Sequence, residues 1–416
     1  MIKRDIYDDK ITAAFAFLPI VVLSGARQVG KTTIMNNFNY KKKKLFLNGQ
    51  NPEVIEIFSK YSIIENYLKI NLDINLDGFL LIDEFQFIPN ISTVLKLLTD
   101  NNKMLKVIAT GSSSLDIIQK VEESLAGRVR IINVYPLSFS EFIKFQNEEL
   151  YFIYQKYNEL TVDSIIDKEI KLLEFNYLTY GGLPRVALAN NISDKIELLN
   201  DIYLTYLLRD VKSYIKNEDS VGFNKMLRIL SSQISNLLNV NELSKTSGLN
   251  YKKTIEYLFL LEQMFIIKMV EPFHTNKRNT ITKMKKVFFY DLGIRNIIYN
   301  SFNDILIRVD NGAIFENYVF MELVKNVSST SNIFFYRTHD NAEIDFVIDN
   351  MIEKITIEAK FKSLDKPSTF KSLQEFNSRE GVSKSYLINL DYNYQQNGIH
   401  YLPSCLLSKI SAFQRS

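Results

Sequence analysis

The sequence predicts an α/β protein with a parallel sheet in its N-terminal part, on three observations. Apolar runs at 19–23, 79–82 and 103–110 each lead into polar or glycine-bearing residues, as buried parallel strands do when they deliver chemistry to their C-terminal edge. Stretches of helical spacing separate them, which is the alternation of βαβ units. The first run continues without a gap into Ser24-Gly25-Ala26-Arg27-Gln28-Val29-Gly30-Lys31-Thr32-Thr33, a fit to G-x-x-x-x-G-K-[ST] in the strand–loop–helix setting that this pattern requires.

That loop is a phosphate cradle by its chemistry. Gly25 and Gly30 permit backbone angles and close approaches that a side chain would block, so successive N–H groups can turn inward on phosphate oxygens. Lys31 can reach the β- and γ-phosphates and the Thr32 hydroxyl can ligate Mg²⁺. The helix starting at Lys31 adds the partial positive charge of its N-terminus. ATP with Mg²⁺ is the cofactor set expected.

With 416 residues the chain is too long for one core, so two to four domains are expected. There is no Trp, and 29 Phe and 23 Tyr supply the large core side chains. The lone cysteine, Cys405, rules out an intrachain disulfide and a multi-cysteine zinc site and fits a reducing cytoplasm. The apolar segment 11–23 follows two aspartates, is broken by Pro19 and runs into the loop, so it reads as structure rather than an export signal. Nothing approaches the roughly 20 apolar residues of a membrane span, and a cytoplasmic protein is expected.

Residues 1–18 read as a short amphipathic helix. After the helix from Lys31 to about Phe38, the run Lys41–Lys44 leads into a strand at 45–48 and reads as its solvated entry. The strand Gly78-Phe79-Leu80-Leu81-Ile82 ends in Asp83-Glu84. Asp83 is placed to hold Mg²⁺ and Glu84 to activate the water that attacks the γ-phosphate. A helix is expected over 91–99, and the strand 103–110 presents Thr110 and Ser112 either as a polar probe of the same phosphate or as a cap of the next helix. Arg130–Val134 reads as a further strand. Arg128 and Arg185, with Arg209, are candidates to stabilise transition-state charge or surface ion pairs.

From 138 to about 222 the apolar spacing turns helical, interrupted by Tyr180-Gly181-Gly182-Leu183-Pro184, and reads as a helical lid. Residues 223–290 run helix–helix–helix–hairpin, the order of a winged helix, with 11 Lys/Arg against 4 Glu and no Asp. That surplus exceeds the net charge of the whole chain, +3, and points to DNA as a partner; a packing module with a solvated basic face is the alternative. Residues 305–416 form the last unit, with a helix at 312–325, strands at 332–336, 343–348 and 354–359, a helix at 368–376 and a strand at 385–389. Asp345, Glu358 and Lys360 lie at the ends of adjacent strands, and residues two apart share a strand face. Two carboxylates and a lysine there suit phosphodiester hydrolysis with Mg²⁺, with Glu316 as a further carboxylate; an ion-pair network explains the same residues. His274, His339 and His400 are scattered and support no histidine metal site.

Taken in order, the motifs resemble the prokaryotic AAA-type ATPases that carry a C-terminal conserved domain of unknown function with a restriction-endonuclease-like fold. The resemblance rests on residues 25–33, Leu81-Ile82-Asp83-Glu84-Phe85-Gln86, Thr110-Gly111-Ser112-Ser113, Ala126-Gly127-Arg128-Val129 and Pro136-Leu137-Ser138-Phe139. It continues through 180–184, Phe315-Glu316-Asn317-Tyr318-Val319, Arg337-Thr338, Glu343-Ile344-Asp345-Phe346-Val347 and Ile357-Glu358-Ala359-Lys360. It implies an AAA+ ATPase core at 1–137, a helical lid at 138–222, a winged helix at 223–304 and an α/β PD-(D/E)XK nuclease-like domain at 305–416. In that last domain it implies Asp345, Glu358 and Glu316 as metal ligands, and Lys360 as the partner that positions water. AAA+ proteins often assemble as rings, so a homo-oligomer is compatible with it.

Overall fold

The computed structural model describes residues 3–111, 125–157, 164–210, 214–274, 284–328, 330–338, 342–367, 371–382 and 384–410. The chain divides into two compact units. The first runs to Tyr135 and includes Gln263–Phe265; the second comprises Pro136–Glu262 and everything from Ile266 onward.

The first unit is built on five strands, β1 (Ile20–Ser24), β2 (Lys44–Asn48), β3 (Phe79–Asp83), β4 (Lys106–Gly111) and β5 (Val129–Asn133). They are all parallel, in the order β2-β3-β4-β1-β5. All five residues of β1 are buried, which is why its sequence is continuously apolar rather than alternating. One layer of the core joins Ile20, Val22, Leu80, Ile82, Val107 and Ala109 of the sheet to Ile91, Leu95 and Leu98 of the helix Ile91–Asn101. That helix carries its apolar residues at helical spacing, and each such side chain stabilises by about 1.5–3 kcal/mol on burial. The register sets Ser24 beside Gly111 and Ile82 beside Ala109. The residues that follow these strands therefore share one edge of the sheet. Lys41–Lys44 are exposed at the entry to β2, an edge strand, where lysines discourage pairing with another chain. Between β2 and β3 the chain forms two helices, Pro52–Ile57 and Tyr61–Asn71. Ser112 and Ser113 lie outside the described residues.

The second unit begins with helices Phe139–Gln146, Glu148–Lys156, Ser164–Tyr180 and Ile192–Ile202. The first of these starts with a capping box in which the Ser138 hydroxyl and the Glu141 carboxylate each accept a backbone N–H. Helices Ser220–Ser232, Val240–Ser247 and Tyr251–Gln263 follow, then the antiparallel pair β6 (Ile267–Pro272) and β7 (Lys286–Phe289). After helices Leu292–Tyr299 and Asn311–Asn326 come β8 (Asn332–Arg337), β9 (Glu343–Asp349) and β10 (Lys354–Ala359). The helix Lys371–Glu380 then leads to β11 (Lys384–Asn389), β12 (Tyr394–Gln396) and β13 (Ile399–Pro403).

These strands form one mixed sheet in the order β12-β13-β11-β10-β9-β8-β6-β7. The hairpin of 267–289 is therefore part of the C-terminal sheet, because Glu271 and Pro272 of β6 pair in parallel with Phe334 and Phe335 of β8. Joining the two satisfies backbone groups that a free strand edge would leave open.

The basic surplus of 223–290 is partly neutralised. Lys253 pairs with Glu218 and Asp219, Lys268 with Glu262, Lys285 with Glu271, and Lys286 with Glu316 and Glu343. The loop residues 275–283 lie outside the described set, as do His339 and the side chain of Arg209. Among the described residues no helix is long and apolar enough to cross a membrane.

Candidate nucleotide site and a carboxylate–lysine centre

The loop after β1 is shaped by two glycines. A Cβ at Gly25 would overlap the carbonyl oxygen of Val134, so the chain passes β5 only with glycine there. Gly30 has φ 94° as the N-cap of the helix Lys31–Asn37, a left-handed conformation that glycine adopts without steric cost. Lys31 is 6% exposed. Its Nζ donates to the carbonyl oxygens of Gly25 at 2.8 Å and Ala26 at 2.7 Å, so the ammonium sits inside the cradle. Burial lowers its pKa to about 8, against the charges of Glu84 and Asp83, which favour the protonated form. Val29 is buried, while Arg27, Gln28, Thr32 and Thr33 are half-buried. Arg4, which the sequence reading did not single out, clamps this loop: its Nη1 donates at 2.9 Å both to the Val29 carbonyl and to the Tyr135 carbonyl.

Asp83 and Thr110 meet the loop from neighbouring strands. The Thr32 hydroxyl donates to both oxygens of Asp83, at 2.9 and 3.1 Å, and the Thr110 hydroxyl also donates to Asp83. Thr110 in turn accepts the Glu84 N–H at 3.2 Å. Thr110 therefore touches the acid pair, and the residues it would cap as a helix start lie outside the described set. Gly49 closes the other side, its N–H donating to the Asp83 carbonyl at 2.8 Å. A hydroxyl and a carboxylate touching beside a buried lysine form the hard-oxygen set that suits Mg²⁺ with phosphate. The glycine-lined backbone leaves the approach that phosphate needs, so the residues present fit a nucleotide with its cation.

The two arginines are placed differently. Arg128 immediately precedes β5, and its carbonyl accepts the N–H of Ile20 at the start of β1. It thus lies at the edge of the parallel sheet opposite the loop. Its guanidinium holds Asp100 in a two-pronged ion pair, at 2.7 and 3.0 Å. This corrects the expectation that it serves a phosphate on the same chain, since the strand direction puts about 16 Å of β1 between the two edges. Arg185 is exposed on the short helix Pro184–Ala187 of the second unit.

In the second unit Asp345 and Glu358 are neighbours across β9 and β10. Asp345 accepts the Ala359 N–H at 2.8 Å, and Lys360 pairs with Glu358 at 2.6 Å. Both acids are buried, and Glu358 and Lys360, two apart on the strand, lie together as their shared face requires. Burial, then the Asp345 charge, pushes Glu358 up to about 7, with Lys360 opposing. Burial also raises Asp345, against Lys286 and Lys360.

Glu316 does not complete a ligand trio with them. Its carboxylate accepts from Lys286 at 2.8 Å, and the same ammonium lies 2.5 Å from Glu343. Burial works against the Lys286 charge, but Glu316, Asp345 and Glu343 outweigh it and raise its pKa. Burial pushes Glu316 up to about 8, with Asp345 adding to the shift and Lys286 opposing it. Among the described residues no three carboxylate, histidine or cysteine side chains gather at metal-binding spacing. Lys286 lies among these acids and pairs with Glu316 and Glu343. Its position in β7 gave no signal, because its role depends on that hairpin joining the C-terminal sheet.

Comparison with known proteins supplies the setting. Residues 18–143 match the family model of the AAA domain. Residues 173–304 and 311–407 match two models, each described as a domain of unknown function. An uncharacterized protein of Methanocaldococcus jannaschii is 28% identical over 338 residues, covering 79% of this chain and 72% of the relative. An uncharacterized protein of Mycobacterium tuberculosis is 22% identical over 353 residues, covering 84% and 72%. Among solved structures, a Walker-type ATPase of Pyrococcus abyssi aligns with a TM-score of 0.50 at 15% identity, over 72% of this chain and 96% of that one. That likeness concerns the fold. The loop and the parallel sheet thus lie within the residues that are similar to the AAA domain.

Proposed function

We propose that this protein binds and hydrolyses ATP with Mg²⁺. The observation that carries the reading is the meeting of Thr32, Asp83 and Thr110 through shared hydrogen bonds beside the buried Lys31. The backbone of Gly25–Thr33 binds the phosphate chain, and Lys31 exchanges its two carbonyl partners for phosphate oxygens. Thr32 and Asp83 hold the cation, which when bound supplies neutralisation of charge on the transferring phosphoryl group. Glu84 orients the attacking water and accepts its proton. Phosphate release by wild type, Lys31→Ala and Glu84→Gln tests this. Each variant is expected to fall by about 10²–10³-fold, with Glu84→Gln still binding ATP. Equal rates in all three would sink the reading.

The further step is that nucleotide state is coupled to a DNA-directed second unit, in which Asp345, Glu358 and Lys360 act on phosphodiesters. A competing reading, a nucleotide-switched regulatory or DNA-binding module whose nuclease-like centre is inert, is favoured by the Lys286 ammonium among the acids. Plasmid incubated with Mg²⁺ or Mn²⁺, with and without ATP, separates the two. Nicking by wild type that is lost in Asp345→Ala and Lys360→Ala supports catalysis; no nicking under any condition supports the regulatory module.

A further inference from the structure

Glu84 is held in a backbone conformation that residues with a Cβ rarely adopt. Its φ of 50° and ψ of 46° lie in the left-handed region, at a cost of about 1–2 kcal/mol. Neighbours on both sides keep it there. Its N–H is taken by the Thr110 hydroxyl. Its carbonyl oxygen packs against Gly49, where a Cβ would come within 2.6 Å. The consequence is a sharp change of direction into the 3₁₀ turn Phe85–Phe87, which brings Gln86 back over Glu84. The Gln86 Nε2 donates to Glu84 Oε2 at 2.5 Å. The Glu84 charge favours the protonated form of Lys31.

We propose that Gln86 is a positioning residue for ATP hydrolysis, its side-chain amide fixing the Glu84 carboxylate so that it meets the attacking water already oriented. The inference rests on the hydrolase reading above. A neutral amide suits the task. It supplies a directed donor, whereas a lysine or arginine would add a charge that makes the carboxylate a weaker base. The strained turn serves the same end, because it is what lets a residue two positions on reach back to the acid. Gln86 is half-buried, so the turn also limits its freedom.

The test uses the full chain and Gln86→Met, which keeps length and bulk without the donor. The kcat for ATP is expected to fall about ten- to hundredfold, part of the general-base contribution, while KM and ADP affinity change less than twofold. In a double-mutant cycle, Glu84→Gln/Gln86→Met is expected to turn over no more slowly than Glu84→Gln, because an amide that acts through Glu84 has nothing left to orient. Wild-type kcat in Gln86→Met overturns the inference. So does an equal fold-loss in the Glu84→Gln background, or a loss of ADP affinity that tracks kcat, since both mark a merely structural role. If Glu84→Gln itself turns over at the wild-type rate, the hydrolase reading fails first and this inference falls with it, a result distinct from the others.

Discussion

Among the buried lysines of the described residues, Lys31 and Lys286 are opposites. Lys31 in the first unit rests on two carbonyl oxygens, and burial lowers its pKa to about 8. Lys286 in the second unit lies against Glu316 and Glu343 and is held protonated by them and Asp345. The first ammonium has its charge only loosely compensated from within the protein and is suited to an incoming polyanion. The second is already matched, and its charge holds the sheet and the helix Asn311–Asn326 together. A buried charge awaiting a ligand costs stability, whereas a matched one becomes costly only when its partner is removed.

Replacing each lysine by methionine should separate the two roles most sharply. Lys286→Met leaves Glu316 without its cation and Glu343 with Arg337 alone among the described residues, and is expected to destabilise the second unit by about 3 kcal/mol, read from denaturant unfolding. Adding Glu316→Gln should recover part of that loss. Lys31→Met removes a desolvated charge and is expected to leave stability level or raised while abolishing ADP binding. Equal destabilisation by both substitutions would erase the distinction.

A pH series sharpens the same contrast. The free protein keeps Lys31 charged below about pH 8 and neutral above it, while bound phosphate favours the charged form. Binding therefore takes up a proton above that pH. ADP affinity measured by calorimetry without Mg²⁺ should be level up to about pH 8 and then fall by as much as about tenfold per unit. A level profile through pH 9.5 would contradict the loosely held ammonium. The smallest effect is expected from Thr110→Val. It removes the hydroxyl shared by Asp83 and the Glu84 N–H, costing about 1 kcal/mol and a few-fold in kcat. An unchanged kcat would show that Thr110 does not hold the acid pair.

The first site was largely legible in advance because its residues are set by short stretches of chain. The glycine spacing, Lys31 and Thr32 belong to one turn, and Asp83-Glu84 ends a run whose apolar character marks it as a buried strand. Arg4 escaped because it reaches the loop through space, and Gln86 stood in the motif at 81–86 without a role because its contact depends on the positive φ of Glu84. Arg128 just precedes the strand expected at 130–134, so a parallel sheet already puts it at the edge away from the loop; its ion pair with Asp100 is what the sequence did not show. In the second unit β12 and β13 were missed, since β12 is exposed throughout and lacks an apolar run.

What the amino-acid order determined by itself is the phosphate loop, the alternation that makes a parallel sheet, and the acid pair at a strand end. Each is encoded within a few residues, through backbone freedom, helix polarity and apolar periodicity. Only the tertiary structure decided that β6 joins β8, that Lys286 thereby reaches Glu316 and Glu343, and that Arg128 pairs with Asp100. Those outcomes depend on how strands distant in sequence pair, and on the electrostatic balance of charges that meet only after the sheet has formed.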